Sequence, residues 1–259
     1  RAKIVGRALY FFFYAALASV MPFMTLYYQD LGLSGQQIGS LAALQPLVTM
    51  VAAPAWGALA DATSQHRRIL LSGMMLSALA VAAFPLAQSF WDVTLCVFAF
   101  ALFSAPLISL IDNSTLQQLG PRRDLYGLQR VWGSYGWGIA GYATGWMMGW
   151  QGLPVIFIIF PVLIALTLVI ALRFPVSQSA LGLAFGRGLA GLFSNRRWLF
   201  FLAVVWVTGV GFGMYVNFSL IFMRSIGVTE PQLGLVQAIQ IVSEIPFLLA
   251  SGQLTKRFG

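Results

Sequence analysis

The 259-residue sequence has one cysteine, one histidine and only seven acidic residues. Cys96, alone inside an apolar run, cannot form an internal disulfide and reads as a small hydrophobe. One histidine, with no phosphate loop and no nucleophile paired with a base, leaves nothing for most catalytic constellations, so an enzyme is not expected and no metal site is called for. Charge of either sign is scarce. Lys, Arg, Asp and Glu make up 8% of the chain, where a soluble domain carries about 25%. Too few polar residues remain to cover a water-exposed surface. What is present instead is 59% hydrophobic residues with 21 Phe and 8 Trp, the composition of an integral membrane protein.

A bilayer core about 30 Å thick needs roughly 20 apolar residues per helical crossing. Eight such runs occur: Arg7 to Tyr28, Ile38 to Ala60, Ile69 to Ala87, Val93 to Gln117, Gln129 to Trp150, Leu153 to Leu172, Trp198 to Met223 and Gln232 to Leu254. The links are short, and the ten-residue alternation of a β-barrel is missing. The first run is too long for the core of a cleavable signal and lacks a small-residue cleavage site.

Charge placement tests the count. With turns assigned alternately, Arg1, Lys3, Arg7, Arg67, Arg68, Arg122, Arg123, Arg130, Arg173, Arg187, Arg196, Arg197, Lys256 and Arg257 fall on one side, and only Arg224 on the other. The positive-inside rule then puts both chain ends in the cytoplasm. The net charge of +8 therefore faces anionic lipid, and a nucleic-acid partner is not expected.

A shift of 195 residues without a gap aligns LGLSGQQIGSLAALQ (31–45) with IGVTEPQLGLVQAIQ (226–240). Gly32 meets Gly227, Gly39 meets Gly234, Gln45 meets Gln240, Gly57 meets Gly252 and Leu59 meets Leu254. Spans one and two recur as spans seven and eight, the signature of a parallel repeat with a six-span period. The closing SGQLTKRFG (251–259) is then the second copy of WGALADA (56–62), stopping before a further crossing, and a first residue other than Met also suggests a piece of a longer protein.

The turn GALADATSQHRR (57–68) resembles the signature loop Gly-x-Leu-Ala-Asp-x-x-Gly-Arg-Arg of the major facilitator superfamily. Gly57, Leu59, Ala60 and Asp61 match; Ser64 and Gln65 replace Gly and Arg, and the basic residues come late as His66, Arg67 and Arg68. YGLQRVWGSYGW (126–137) is similar to the start of span five in the branch containing lactose permease and the phenylpropionate and nucleoside permeases. SEIPFLLASGQLTKRFG (243–259) resembles span eight of the phenylpropionate-permease-like group. The resemblance implies an all-α membrane protein of the major facilitator fold: a six-helix N-terminal half (1–173), a cytoplasmic central loop (174–197) and the first two helices of the C-terminal half (198–259). It further implies twelve spans in the complete protein, a monomer in the cell membrane, and no cofactor beyond a proton gradient.

A charge at bilayer depth costs about 2.5 to 3.5 kcal/mol, so each one needs a partner or a wet cavity. Asp112, Arg130 and Glu244 are the intramembrane candidates. Asp112 and Arg130 flank one short turn, where an ion pair is geometrically reasonable. Arg130, Ser134 and Trp137 share a helical face, so a solute ring could lie on the indole while the guanidinium takes hydroxyls or a carboxylate. In the lactose permease branch a carboxylate on span four, an Arg on span five and a Trp two turns later bind sugar, which implies that role for Asp112, Arg130 and Trp137. A purely structural pair tying two helices is the other reading. Gln45 and Gln240, repeat mates, put a polar residue inward from each half, and Glu244 could hold the coupled proton. Gly57, Asp61 and Arg67 are expected at the cytoplasmic gate, with Asp61 latching helices among the bases. The stripe Gly133, Gly141, Gly145 and Gly149 reads as helix packing, and the aromatic run LYFFFY (9–14) as lipid-facing or interfacial rather than ligand-binding. The expected function is alternating-access transport of a small organic solute, a sugar, aromatic acid or nucleoside, with protons. The alternative is a receptor or assembly protein on a transporter fold.

Overall fold

The computed structural model describes residues 2–176 and 194–258. Most of the expected central loop, 177–193, lies outside the described residues. Those residues form an all-helical bundle without strands: α1 (Ala2–Val20), α2 (Met24–Asp30), α3 (Gly35–Thr63), α4 (His66–Ala82), α5 (Phe90–Ser104), α6 (Leu107–Leu119), α7 (Tyr126–Gln151), α8 (Ile156–Ala171), α9 (Arg196–Ser225) and α10 (Glu230–Phe258). They fall on the eight apolar runs of the sequence, two of which are broken. Span one is interrupted by a 3-10 turn at Met21–Phe23, where Pro22 cannot donate a backbone N–H. Span four breaks before Leu107, where Pro106 precedes α6.

The helices overrun the apolar runs by a few residues, because backbone hydrogen bonding continues into polar ends that hydropathy does not register. α3, for example, spans Gly35–Thr63 against the expected Ile38 to Ala60. Among the described residues, six crossings are long and apolar enough to span a bilayer: 4–30, 35–63, 66–86, 90–119, 153–171 and 196–225. The remaining two, α7 and α10, have the length but less apolar sequences, and they pack on each other. Helices that bury a face against one another need less lipid-soluble surface.

The 195-residue register recurs in the backbone. α3 and α10 are both 29 residues long and start 195 positions apart. Gly32 and Gly227 turn the chain just after the preceding helices at φ +74° and +90°, a region open to glycine at no steric cost. At the following helix starts, the Gln37 side chain accepts from the Ser34 N–H and the Gln232 side chain from the Thr229 N–H, each at 2.9 Å. Ser34 completes a capping box by accepting from the Gln37 N–H.

Neighbouring helices follow the order α10, α7, α1, α8, α4, α5, α3. Glycines set the closest approaches. A Cβ on Gly136 would lie 2.1 Å from the Phe11 carbonyl oxygen of α1. On the opposite side of α7, a Cβ on Gly145 would lie 2.5 Å from the Gly234 Cα of α10, with Gly141 against Gln237 and Gly149 against Pro231. The expected packing stripe is thus real, except that Gly133 belongs to the α1 side, against Tyr14 and Arg130.

Candidate functional site

α1 presents Arg7, Tyr10 and Tyr14 at i, i+3 and i+7, one helical face about 10 Å long. This face meets the start of α7 and the second half of α6. The Tyr10 hydroxyl donates to Asp112 Oδ1 at 2.6 Å, and Tyr126 approaches the same carboxylate. The Arg130 guanidinium carbon sits 3.8 Å from the centroid of the Tyr14 ring. Arg7 lies 6.0 Å from the Trp132 ring.

Asp112 and Arg130 are thus gathered in one place but not joined to each other. Among the described residues no ion pair forms between them within 4.0 Å. The expected direct pair is replaced by two tyrosine contacts from a third helix. A hydrogen bond to a charged group contributes about 1.5–3 kcal/mol, and a desolvated cation–π contact about 2 kcal/mol, so each is strong enough to hold its charge.

The tyrosines belong to the run LYFFFY, which the sequence reading assigned to lipid. The structure overturns that: Leu9 and Tyr10 are fully buried, and Phe13 and Tyr14 are buried beside them. The signal was available in the two hydroxyls spaced four residues apart, since Phe suffices on a lipid-facing surface. Gly133 makes room for the arrangement, because a Cβ there would lie 2.7 Å from Arg130 Nη1 and 2.8 Å from Tyr14 Cδ2.

Trp137, two turns beyond Arg130, is half-buried and points across to the C-terminal segment. Its indole Nε1 donates to Gln237 Oε1 at 3.4 Å. Gln237, rather than the expected Gln240, is the glutamine that reaches this site. Gln240 is half-buried and Glu244 exposed, so the polar stripe of α10 leaves its contact with α7 as it runs toward the chain end. Gln45 is elsewhere. It lines a cavity of about 10 Å³, the space of one water, with Met21, Tyr28 and Phe100, a lining that includes none of Asp112, Arg130 or Trp137.

At the turn between α3 and α4, Gly57 is buried and Asp61 Oδ1 lies 3.0 Å from His66 Nε2. Arg67 does not share this contact. It donates to the carbonyls of Leu172 and Phe174 at the end of α8, where unpaired carbonyls favour a cation. Ser64, standing where the signature has Gly, adopts φ +53°. At the far end of the bundle, Arg224 Nη1 donates to Asp30 Oδ1 at 2.6 Å and Nη2 lies 3.5 Å from Glu230 Oε1. This joins the ends of spans one, seven and eight.

Comparison with known proteins follows this geometry closely. The chain is 32% identical to the maltose permease of Geobacillus stearothermophilus over 99% of its length, covering 66% of that protein. It is 26% identical to the probable 3-phenylpropionic acid transporter of Escherichia coli K12 over 96% of its length, again covering 66%. It thus spans about two thirds of the length of these relatives. The fold superposes on the crystal structure of the nucleoside transporter NupG with a TM-score of 0.83 at 16% identity, over all of this chain and 69% of that one. The profile of the MFS_1 like family matches residues 5–259. This multi-pass membrane chain has the major facilitator fold and belongs to the MFS_1 like family.

Proposed function

We propose that the complete protein moves a small organic solute across a cell membrane by alternating access, in symport with protons, with the N-terminus in the cytoplasm. Asp112, Arg130 and Trp137 form the N-terminal side of the solute site, with the α10 glutamines opposite and Glu244 as the proton carrier. The observation that carries this reading is the placement of an acid and a base, both costly in a membrane, on one face of α1, with Trp137 two turns along α7 from Arg130 bridging to the C-terminal segment through Gln237. Gly57, Asp61 and Arg67 serve the gate at the cytoplasmic end. The named functions of the relatives, maltose permease, phenylpropionic acid transporter and nucleoside transporter, support a sugar, an aromatic acid or a nucleoside as the solute class. They lend no support to a receptor without transport.

The test uses energy-depleted cells expressing the complete protein in weakly buffered medium. Addition of maltose, 3-phenylpropionate or uridine should alkalinise the medium as the solute enters. Arg130→Lys keeps the charge but loses the planar fork, and uptake should fall about tenfold or more, on the scale of a lost charge-assisted bidentate contact. Uptake within about twofold of the parent would remove Arg130 from the site.

A further inference from the structure

Two opposite charges placed together inside a membrane would ordinarily collapse onto one another, and a solute would then have to break their ion pair before using either. The geometry here prevents that collapse. Tyr10 takes Asp112 Oδ1 at 2.6 Å, while Tyr14 lies flat under the Arg130 guanidinium at 3.8 Å. A carboxylate accepts about four hydrogen bonds and a guanidinium donates five, all in its plane. Two phenols, Tyr10 and Tyr126, therefore leave acceptor capacity on Asp112 for a further donor, and one tyrosine beside the guanidinium engages only part of its five N–H donors. Both tyrosines are buried and rigidly seated, since they stack on each other with centroids 6.3 Å apart and Gly136 lets α1 and α7 approach at Phe11.

We infer that Tyr10 and Tyr14 are positioning residues that hold Asp112 and Arg130 apart, keeping both charges available to a solute. Such a site selects a solute that donates a hydroxyl to the carboxylate and offers oxygens in the plane of the guanidinium. The inference rests on the proposed solute site at Asp112 and Arg130. Tyr10 acts through its hydroxyl and Tyr14 through its ring, so the two positions respond differently to conservative change.

The test is equilibrium binding of maltose, uridine and 3-phenylpropionate to the purified complete protein, with thermal melting as the check on folding. Tyr14→Phe keeps the ring and should bind within about twofold of the parent, whereas Tyr14→Leu should bind about tenfold more weakly or worse. Tyr10→Phe should weaken binding to a similar extent, but in an Asp112→Asn background it should change nothing further, because its effect runs through that carboxylate. A merely structural tyrosine would lower the melting temperature without this dependence on Asp112. If Tyr10→Phe and Tyr14→Leu bind like the parent while Arg130→Lys does not, the positioning role is wrong and the solute site stands. If Arg130→Lys binds like the parent, or the parent binds none of the three probes, the solute site is wrong and the positioning role falls with it.

Discussion

Ser64 is the sole non-glycine residue with positive φ among those described, at +53°. For a residue with a Cβ this conformation costs about 1 kcal/mol or more, and helices commonly end on a glycine in that conformation. The signature loop has Gly at this position, and the structure supplies the reason: α3 must end in a left-handed turn so that α4 can start at His66. Ser64→Gly is therefore expected to stabilise the protein by about 1 kcal/mol, seen as a higher melting temperature in detergent. An unchanged or lower melting temperature would show that the serine pays no strain. Arg67 offers a second test at this scale. Arg67→Ala removes the donors to the Leu172 and Phe174 carbonyls and should destabilise the docking of α8 by about 1 kcal/mol, measurable by the same melt.

At the scale of elements, α7 carries glycines on two faces with different tasks. Gly136 brings α1 and α7 together within the N-terminal half; Gly145 brings α7 against α10 across the halves. Gly136→Ala forces a Cβ onto a backbone oxygen and should cost about 1–3 kcal/mol, lowering the melting temperature. Gly145→Ala pushes only on the contact between halves. It should leave the melting temperature of the N-terminal half nearly intact and instead increase thiol labelling of a cysteine introduced at Gly141. Equal melting losses from both variants would erase the distinction.

How much of this was legible in the residues depends on where polarity sits. The eight crossings and the repeat could be read because charges, glycines and glutamines punctuate the chain at fixed intervals. Burial could not be read in the same way. In a membrane both the lipid side and the packed side of a helix are apolar, so amphipathicity does not point inward as it does in a soluble protein. That is why the burial of Tyr10 and Tyr14 within LYFFFY is not legible in the sequence, and why Gln237 and Gln240, three residues apart on one face of α10, are not told apart by it. Asp112, Arg130 and Trp137 stand out as candidates because an acid, a base and an indole N–H are conspicuous in an apolar run. Their true partners were missed because tyrosines are common at membrane interfaces.

For the whole molecule, the contacts between the N-terminal half and the C-terminal segment lie between the middle of α7 and the end carrying Asp30. They run from Trp137–Gln237 and Gly138–Ile241 through Gly145–Gly234 to the Asp30–Arg224–Glu230 cluster. In the proposed alternating-access cycle these contacts open. An exposed ion pair contributes about 1 kcal/mol or less, so the cluster is cheap to release in the proposed cycle. Arg224→Ala should therefore shift the population toward opening at this end, raising the labelling rate of a cysteine placed at Pro231 or Gly149 by about threefold to fivefold at low salt. High salt should reduce the difference between variant and parent. Labelling unaffected by Arg224→Ala would show that the glycine contacts alone keep this end shut.

Span one differs from its repeat mate in one respect. α9 is a single rod of 30 residues, whereas span one is cut at Met21–Phe23. The cut falls between Tyr14, under the interior base, and Asp30, which grips Arg224. A pull on Asp30 therefore reaches α1 through an elbow rather than along an unbroken shaft, and the same pull on Arg224 travels the full length of α9. Two copies that agree in register thus differ in continuity, and the break lies between the charges of the N-terminal half and the end where the halves are clasped.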